Sequence, residues 1–443
     1  MKLAIVGGGG FRVPQVHAAL LARQETLRFG EVVLHDIDAG RLERVGSVLA
    51  EQAREHGAEL GLRATTDLED AVDAADFVFA AIRPGGLEGR SIDESVALAQ
   101  GILGQETVGP GGVCFALRTI PAMVELAELV ALRAPRAWLV NFTNPAGMVT
   151  EALQQVLGDR AVGICDSPSG LCRRVAAALG RQPDELWFDY FGLNHLGWLK
   201  GVRDGEGELL PGLLADSQAL ESFEEGALFG ADWLRSLGMI PNEYLFYFYF
   251  AAETVAAIAA GDRPRGAYLL EQQAGFYSGN GGAALPAWRA ARSEREQSYM
   301  AEARGAAGIA TEHAQDPAGG YEGEALAVVE AISRGRGSVL ICNTANRSAL
   351  PFLDERAVVE VPAVVGAAGP QPIAVGAVPE HARALMQTVK AVERATIEAA
   401  LTGSSTLAVK ALALHPLVPS VNAARELFGA YQAQLPELQE RFA

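Results

Sequence analysis

Short apolar runs alternate with segments of helical periodicity along the first part of the chain. In segments 14–23 and 120–133 the apolar residues recur at the spacing of one helix face. Four apolar runs are typical of strands: 3–6, 31–35, 76–83 and 137–141. Strands that alternate with helices form a parallel sheet covered by helices on both faces. The pattern therefore predicts a doubly wound, Rossmann-type α/β fold.

A glycine-rich turn joins the first strand to the first helix. Gly7 and Gly9 fit the first two positions of the G-x-G-x-x-G fingerprint, but Arg12 occupies the third. Asp36 ends the second strand, where an acid accepts hydrogen bonds from the adenosine ribose and disfavours a 2′-phosphate. We expect NAD rather than NADP, although a glycine turn without a ligand is the alternative. The expected cofactor contacts are Gly7, Gly9, Gly10, Phe11 and Asp36.

The second half of the chain has a mixed pattern. A strand at 338–342 follows an amphipathic helix that runs to Ile332, and the stretch from Ile397 to Ala443 is rich in helix-forming Ala and Leu. No repeat or low-complexity linker divides the chain. We predict an NAD-binding domain at 1–190 and a mixed α/β lobe at 191–443 for substrate, metal and oligomerisation. The alanine-rich helices favour a homodimer or homotetramer.

Composition narrows the classes of function. The 443 residues carry a net charge of −18, which disfavours nucleic acid and anionic membranes because both attract clustered Lys and Arg. No 18-residue apolar run is present, and the start of the chain leads straight into a strand pattern. We expect a soluble, cytoplasmic protein. The four cysteines form no C-x-x-C pair, so a disulfide framework is not expected.

Candidate ligand contacts follow the strands. Segments 83–94 and 104–112 are predicted as polar, glycine-punctuated loops at the carboxyl edge of the sheet, where open α/β sheets bind ligands. Arg83 and Arg90 could clamp an anion, or they could be ion-paired surface residues. Asn144 could bridge cofactor and sugar hydroxyls, or it could only hold a turn.

Cys165 and His195 form a candidate metal pair. Thiolate and imidazole suit soft and borderline divalent ions, with open positions left for substrate oxygens. Taken singly, a Cys after a strand and a His beside Trp198 are more often packing residues. The residue types alone leave both interpretations open.

Several separated motifs together resemble the family 4 glycoside hydrolases, especially the 6-phospho-β-glucosidases, over nearly the whole chain. These motifs are the opening glycines, Arg90, Gly104–Gly109, Asn144-Pro145, Cys165, Asn194-His195, Pro241–Tyr244, Asn343–Arg347 and Val358–Pro362. The resemblance implies a malate-dehydrogenase-like nucleotide domain, a tightly held NAD, a divalent metal such as Mn²⁺ and a phosphorylated glycoside as substrate.

The resemblance also implies residue roles. Cys165 and His195 would hold the metal, Tyr244 would be the catalytic base, and Glu106 would raise its basicity. Arg83 and Asn144 would contact the cofactor. Substrate would be bound by Arg90, Asn144, Asn194 and Arg265, or less favourably Arg263. The family is an exception to the two-carboxylate mechanism. In the mechanism that the resemblance implies, hydride transfer from C3 to NAD would make the C2 proton acidic, Tyr244 would remove it, and the aglycone would leave C1.

Two points limit the functional assignment. Asp166 could protonate the leaving group, as in the family's 6-phospho-α-glucosidases, whereas the β-specific members often have Asn there. We still favour the β anomer, because the loops around Arg90 and Glu106 are closer to that branch. A non-phosphorylated glycoside is a further alternative, since the candidate phosphate donors are few.

Two functions compete with the hydrolase, and Tyr244 has a structural alternative. In a lactate- or malate-type dehydrogenase, Asp166 and His195 would form an acid–base dyad and Arg90 would grip a carboxylate. A non-catalytic NAD-binding sensor would need the nucleotide fold alone. Tyr244 lies in an aromatic run, so it could be a core residue. The motif context of Cys165 and Tyr244 favours the hydrolase.

Overall fold

A twelve-stranded mixed sheet forms the centre of the protein. The computed structural model describes residues 1–57, 60–261, 264–279, 283–309 and 320–443. The strands are β1 (Lys2–Val6), β2 (Glu31–His35), β3 (Leu62–Thr65), β4 (Phe77–Ala80), β5 (Trp138–Asn141), β6 (Ala161–Gly163), β7 (Trp187–Leu193), β8 (Leu196–Arg203), β9 (Ile240–Pro241), β10 (Ser338–Ala345), β11 (Val358–Gly366) and β12 (Gly369–Pro372).

The first six strands confirm the predicted Rossmann-type sheet. They are parallel and lie in the order β3-β2-β1-β4-β5-β6, with Ile5 opposite Leu34 on one side and Phe79 on the other. This is the strand order of dinucleotide-binding folds, in which ligands bind where the order reverses. The reversal lies between β1 and β4, directly beyond the glycine-rich turn.

Helices cover both faces of this parallel sheet, which explains why its strands are nearly continuous apolar runs. The buried β4 segment is Phe-Val-Phe-Ala. The helices are α1 (Val13–Ala22), α2 (Gln24–Leu27), α3 (Ala39–His56), α4 (Leu68–Val72), α5 (Gly86–Leu98), α6 (Gly109–Arg133), α7 (Ala146–Leu157) and α8 (Ser167–Ala178).

One predicted loop is mostly helical, and the other ends in a helix. Segment 83–94 turns through Gly85 and Gly86, both with positive φ, and then continues as α5, so Arg90 lies on a helix. Helix α6 begins at Gly109 rather than at Ile120. A Cβ on Gly111 would lie 2.2 Å from the carbonyl oxygen of Gln105. The glycines of this segment therefore allow close backbone packing at a helix start, a requirement that resembles a loop signal in the sequence.

The second half adds antiparallel strands to the same sheet. The order continues β6-β10-β11-β7-β8-β9, with β12 beside β11. Its helices are α9 (Leu210–Ala215), α10 (Ser217–Glu221), α11 (Glu224–Phe229), α12 (Ala231–Leu237), α13 (Phe246–Tyr249), α14 (Ala251–Ala260), α15 (Arg265–Ser278), α16 (Ala284–Gln297), α17 (Ala301–Ala306) and α18 (Tyr321–Arg334). Residue 190 lies within β7, so the predicted boundary falls inside this continuous sheet; the division into two domains stays a prediction.

The C-terminal helices pack against the nucleotide half. They are α19 (Glu380–Thr402), α20 (Ser405–Leu414), α21 (Val421–Gln434) and α22 (Pro436–Arg441), and Pro416 and Pro419 lie between α20 and α21. Buried residues such as Val392, Leu427 and Leu438 share one apolar cluster with Ile120 of α6. Among the described residues, no helix is long and apolar enough to cross a bilayer.

Candidate active site

A cavity of about 1670 Å³ extends along the carboxyl edge of the parallel strands and under the helices of the second half. Thirteen of the predicted site residues line it: Gly7, Gly10, Phe11, Asp36, Arg83, Arg90, Glu106, Asn144, Cys165, Asp166, His195, Tyr244 and Arg265. The structure therefore brings together residues that are up to 258 positions apart in the chain. Gly9 and Asn194 are not among its lining residues, although Asn194 lines a small second cavity beside His195, and Arg263 is outside the described residues.

The glycine-rich turn has the geometry of a dinucleotide site. Gly7 has φ +95°, and a Cβ there would lie 2.4 Å from the carbonyl oxygen of Ala81. The N–H of Gly9 donates to Asp36 Oδ2 at 3.0 Å, so Gly9 fixes the acid at the end of β2. Helix α1 begins at Val13 behind this turn, where backbone N–H groups and the helix dipole favour a pyrophosphate. These residues fit NAD.

Arginines surround Glu106 at one end of the cavity, which we call the arginine end. Arg83 Nη1 lies 2.8 Å and Arg90 Nη1 2.9 Å from Glu106 Oε2. Arg90 Nε also donates to Glu94 Oε1 at 2.8 Å, across one turn of α5. Burial would raise the pKa of Glu106, but the arginines outweigh it and lower this pKa to about 2. Glu106 is therefore a fixed carboxylate that orients two guanidinium groups.

The arginine end has more positive charge than its own carboxylates neutralise. Arg265 and Arg295 line the cavity there, and Arg265 Nη2 donates to the carbonyl of Arg295 at 3.3 Å. Burial, together with Arg12, Arg265 and Arg90, lowers the pKa of Arg295 well below its usual value. Buried positive charge of this kind favours a bound anion. The sequence analysis missed Arg295, although Arg292 and Arg295 have the i, i+3 spacing of one helix face.

A neighbouring part of the cavity, which we call the Cys–His end, contains the candidate metal pair. His195 has φ +59° in the two-residue turn between β7 and β8, and its Nδ1 lies 3.0 Å from Thr107 Oγ1. Burial lowers the pKa of His195 to about 4, so the ring is neutral at pH 7, as metal coordination requires. With Nδ1 engaged, Nε2 is the nitrogen available for a ligand.

Cys165 follows β6 and directly precedes the start of α8. Burial raises the pKa of its thiol well above the usual value. Within the described ranges, no cluster of three or more His, Cys, Asp or Glu side chains forms a closed metal site. A thiolate and an imidazole alone leave several coordination positions open. The donor set fits a divalent ion that also binds substrate oxygens.

Tyr244 stacks on His195 of this candidate metal pair. Its ring lies 3.7 Å from the His195 ring, centroid to centroid, with 7° between the planes. The backbone N–H of Tyr244 donates to Asn242 Oδ1 at 2.9 Å, which places the tyrosine in a single 3₁₀ turn. Burial and the neighbouring Glu243 raise the pKa of the phenol. A base role would therefore need a cation nearby to stabilise the phenolate.

Two carboxylates act on Tyr244. Glu106, predicted to raise its basicity, is ion-paired with arginines, and its charge is among the causes that raise the pKa of the Tyr244 phenol. The catalytic role of Glu106 stays a prediction. The neighbouring carboxylate is Glu243, whose Oε1 accepts from Ser167 Oγ at 2.6 Å and from Tyr299 OH at 3.3 Å. Tyr299 OH also lies 3.4 Å from the Tyr244 hydroxyl. The sequence analysis missed Tyr299, because no motif marks it.

Asn144, Asn194 and Asp166 have different surroundings. Asn144 lines the cavity, and its Oδ1 accepts from the N–H of Ala146 at 3.3 Å. Asn194 Nδ2 donates to the buried Glu360 at 3.1 Å, so this side chain supports the hairpin turn, and its substrate contact stays a prediction. Asp166 lies at the start of α8 without a side-chain capping bond and lines the cavity.

Comparison with known families identifies the chain as a glycosyl hydrolase. The model of the family 4 glycosyl hydrolases matches residues 2–181, and that of the C-terminal domain of the same family matches residues 190–418. A probable 6-phospho-beta-glucosidase of Bacillus subtilis is 31% identical, over 99% of this chain and 98% of its own. A 6-phospho-alpha-glucosidase of Leptotrichia buccalis is 30% identical, over 96% of both chains. The chain therefore belongs to the family 4 glycosyl hydrolases.

Solved structures agree with this membership. The 6-phospho-beta glucosidase from Thermotoga maritima with NAD and glucose-6-phosphate has a TM-score of 0.85 at 27% identity, over 98% of this chain and 97% of that one. A 6-phospho-alpha-glucosidase from gut microorganisms with NAD and Mn²⁺ has a TM-score of 0.82 at 27% identity, over 99% of both. Malate dehydrogenase from Plasmodium falciparum shares the fold, with a TM-score of 0.52 at 12% identity over 90% of this chain and 99% of that one.

Proposed function

We propose that this protein hydrolyses 6-phosphoglucosides, with preference for the β anomer, and that it uses NAD and a divalent metal such as Mn²⁺. The observation that carries the proposal is one cavity with an arginine end, a Cys–His end and a glycine-rich nucleotide turn. The relatives with NAD, Mn²⁺ or glucose-6-phosphate in their structures support it.

The arginine end would bind the 6-phosphate. Arg90 and Arg83 are held by Glu106, and Arg265 and Arg295 add donors from α15 and α16. Guanidinium groups bind phosphate in bidentate fashion, and their orientation before binding lowers the entropic cost. The phosphate would thus place the sugar ring between the glycine turn and Tyr244.

The Cys–His end would perform the proton chemistry. When bound, NAD supplies reversible hydride acceptance and the metal supplies Lewis-acid stabilisation. Cys165 and His195 would hold the metal. Tyr244, kept in plane by the His195 ring, would remove the C2 proton and return one after water has added. Asn144 would contact the cofactor and the sugar hydroxyls.

The α anomer is the second candidate, and Asp166 is the observation that favours it. Its carboxyl group faces the cavity without capping its helix, so it could protonate a leaving group. The β preference rests on the residues around Arg90 and Glu106, which are closer to the β branch of the family. Relatives of both types align at similar identity.

A dehydrogenase acting on a hydroxy acid is less well supported. The His195 Nδ1 lies beside Thr107 Oγ1 instead of a carboxylate, and Arg90 is engaged by Glu94 and Glu106. These contacts do not form an Asp–His dyad with a single carboxylate-binding arginine. The predicted homodimer or homotetramer and the cytoplasmic location stay predictions; light scattering would test the first.

The test measures p-nitrophenol release from the 6-phospho-β-glucoside, the 6-phospho-α-glucoside and the two unphosphorylated glucosides. Each reaction contains NAD, Mn²⁺ and reductant, with and without EDTA. Release from the phospho-β compound, abolished by EDTA, is expected. Faster release from the phospho-α compound would overturn the β preference. Activity on unphosphorylated glucosides alone, or NADH accumulation from a hydroxy acid without any release, would overturn the proposal.

A further inference from the structure

Two side chains from the second half of the chain hold the backbone of the glycine-rich turn. The hydroxyl of Tyr277 donates to the carbonyl oxygen of Gly9 at 2.8 Å. The indole Nε1 of Trp288 donates to the carbonyl oxygen of Phe11, also at 2.8 Å. The partners are 268 and 277 residues apart in the chain. The G-x-G-x-x-G fingerprint does not include such contacts.

The helices that carry these side chains are firmly packed on the nucleotide half. The ring of Phe11 lies 5.5 Å from that of Phe276 and 6.3 Å from that of Trp288, and Trp288 is 2% exposed. The carboxylate of Glu51 on α3 accepts the N–H groups of Ala284 and Leu285 at 2.9 and 3.0 Å, at the start of α16. The contact is therefore a fixed part of the fold.

External support of the turn has a physical reason. Four successive glycines have little conformational preference, so the turn alone would lose much entropy on ordering. A peptide unit is planar and trans, so its N–H points away from its carbonyl oxygen. Fixing the carbonyl of Gly9 therefore fixes the N–H of Gly10, which donates to the carbonyl oxygen of Gly7 at 2.9 Å and closes the turn. Fixing the carbonyl of Phe11 fixes the direction of the N–H of Arg12. Backbone N–H groups at such a turn are the donors that bind a pyrophosphate.

We propose that Tyr277 and Trp288 are positioning residues that preorganise the turn for the NAD pyrophosphate. The inference rests on the proposed use of NAD. It also makes the nucleotide site incomplete without α15 and α16, whose Arg265 and Arg295 line the arginine end of the same cavity. Cofactor and phosphate contacts are thus built on one pair of helices.

The test compares Tyr277→Phe and Trp288→Phe with matched controls in the full chain. Tyr431→Phe removes a buried hydroxyl that donates to the carbonyl of Asp93 at 3.0 Å, and Trp187→Phe removes an indole donor to Asp189 at 2.9 Å. Calorimetry measures the Kd for NAD after the bound cofactor has been stripped. Hydrogen exchange measures the exchange rates of the turn amides in the absence of NAD. A thermal melt shows whether each variant is folded.

We expect each of the two variants to weaken NAD binding about threefold to tenfold, the range for one neutral hydrogen bond. The turn amides should exchange faster in both variants. Their affinity for glucose 6-phosphate, and the NAD affinity of both controls, should stay within twofold of wild type. If Trp288→Phe does not fold, the NAD affinity of Tyr277→Phe alone tests the proposal. Equal NAD affinity in wild type and Tyr277→Phe, or equal weakening in the controls, would overturn this proposal only. A wild type that binds no NAD would overturn the proposed function as well.

Discussion

The two ends of the cavity differ in the charge of their side chains. At the arginine end, ion pairs with Arg83 and Arg90 lower the pKa of Glu106 to about 2, so all three groups are charged. At the Cys–His end, burial raises the pKa values of Cys165 and Tyr244 and lowers that of His195 to about 4. Cys165, Tyr244 and His195 are therefore neutral at pH 7.

This difference separates binding from chemistry. The arginine end is ready for an anion as it stands, because its donors are already charged and oriented. The Cys–His end becomes reactive only when a cation compensates a thiolate and a phenolate. The anion should therefore determine affinity, while the metal and Tyr244 should determine turnover.

The largest expected effect comes from removing the metal. EDTA treatment should lower kcat by at least ~10³-fold, because Lewis-acid stabilisation is worth several kcal/mol. Added Mn²⁺ should restore activity in the wild type but not in Cys165→Ser. Binding of glucose 6-phosphate should fall far less than turnover, as measured by calorimetry on the EDTA-treated protein. Full activity after chelation would contradict the proposal that turnover depends on a metal at the Cys–His end.

Next in size is the change Tyr244→Phe, which keeps the ring stacked on His195 and removes the base. We expect kcat to fall about 10²- to 10⁴-fold, as for loss of one general base, with KM nearly unchanged. Steady-state kinetics measure both values. Tyr249→Phe is the control, since that hydroxyl accepts from Trp198 Nε1 outside the cavity lining. A large rise in KM with normal kcat would assign Tyr244 to binding.

At the arginine end, Arg295→Met should raise KM for the 6-phosphoglucoside about 10- to 100-fold, as for a lost hydrogen bond between charged groups. The melting temperature of the ligand-free protein should rise or stay unchanged, because the substitution removes a cation that is buried among Arg12, Arg265 and Arg90. Arg289→Met, on the same helix but paired with the exposed Glu55, is the control. A melting temperature well below that of the control would argue against an excess of positive charge.

The smallest effect on turnover is expected for Glu360→Gln, behind the hairpin turn of His195. Burial raises the pKa of Glu360 to about 7, above its unfolded value of about 4.5. Its contribution to stability is therefore full below pH 4.5 and is lost as the pH rises through 7, at most ~3 kcal/mol. Denaturant unfolding from pH 5 to 8 should show a weaker decline in Glu360→Gln. If the free energy of unfolding falls equally with pH in both proteins, Glu360 does not titrate in this range.

The parallel sheet and most of the candidate site could be predicted from the sequence. Strands β1, β2 and β5 follow local apolar patterns, and motifs around Cys165, His195 and Tyr244 mark their positions. The direction of Asn194 depends on Glu360, 166 residues away, and the placement of Arg295 and Tyr299 depends on how α16 and its C-terminal end pack. Contacts between residues so far apart produce no periodic pattern in the local sequence. Helix α5 was missed because its glycines resembled a loop.

The most direct test of the central claim is hydrolysis of the 6-phospho-β-glucoside in D₂O, with NMR analysis of the glucose 6-phosphate formed. If Tyr244 removes the C2 proton of a sugar held by the arginine end, the product should contain deuterium at C2. Product formed at a normal rate with protium retained at C2 would contradict the account, because cleavage would then proceed without proton removal at that carbon.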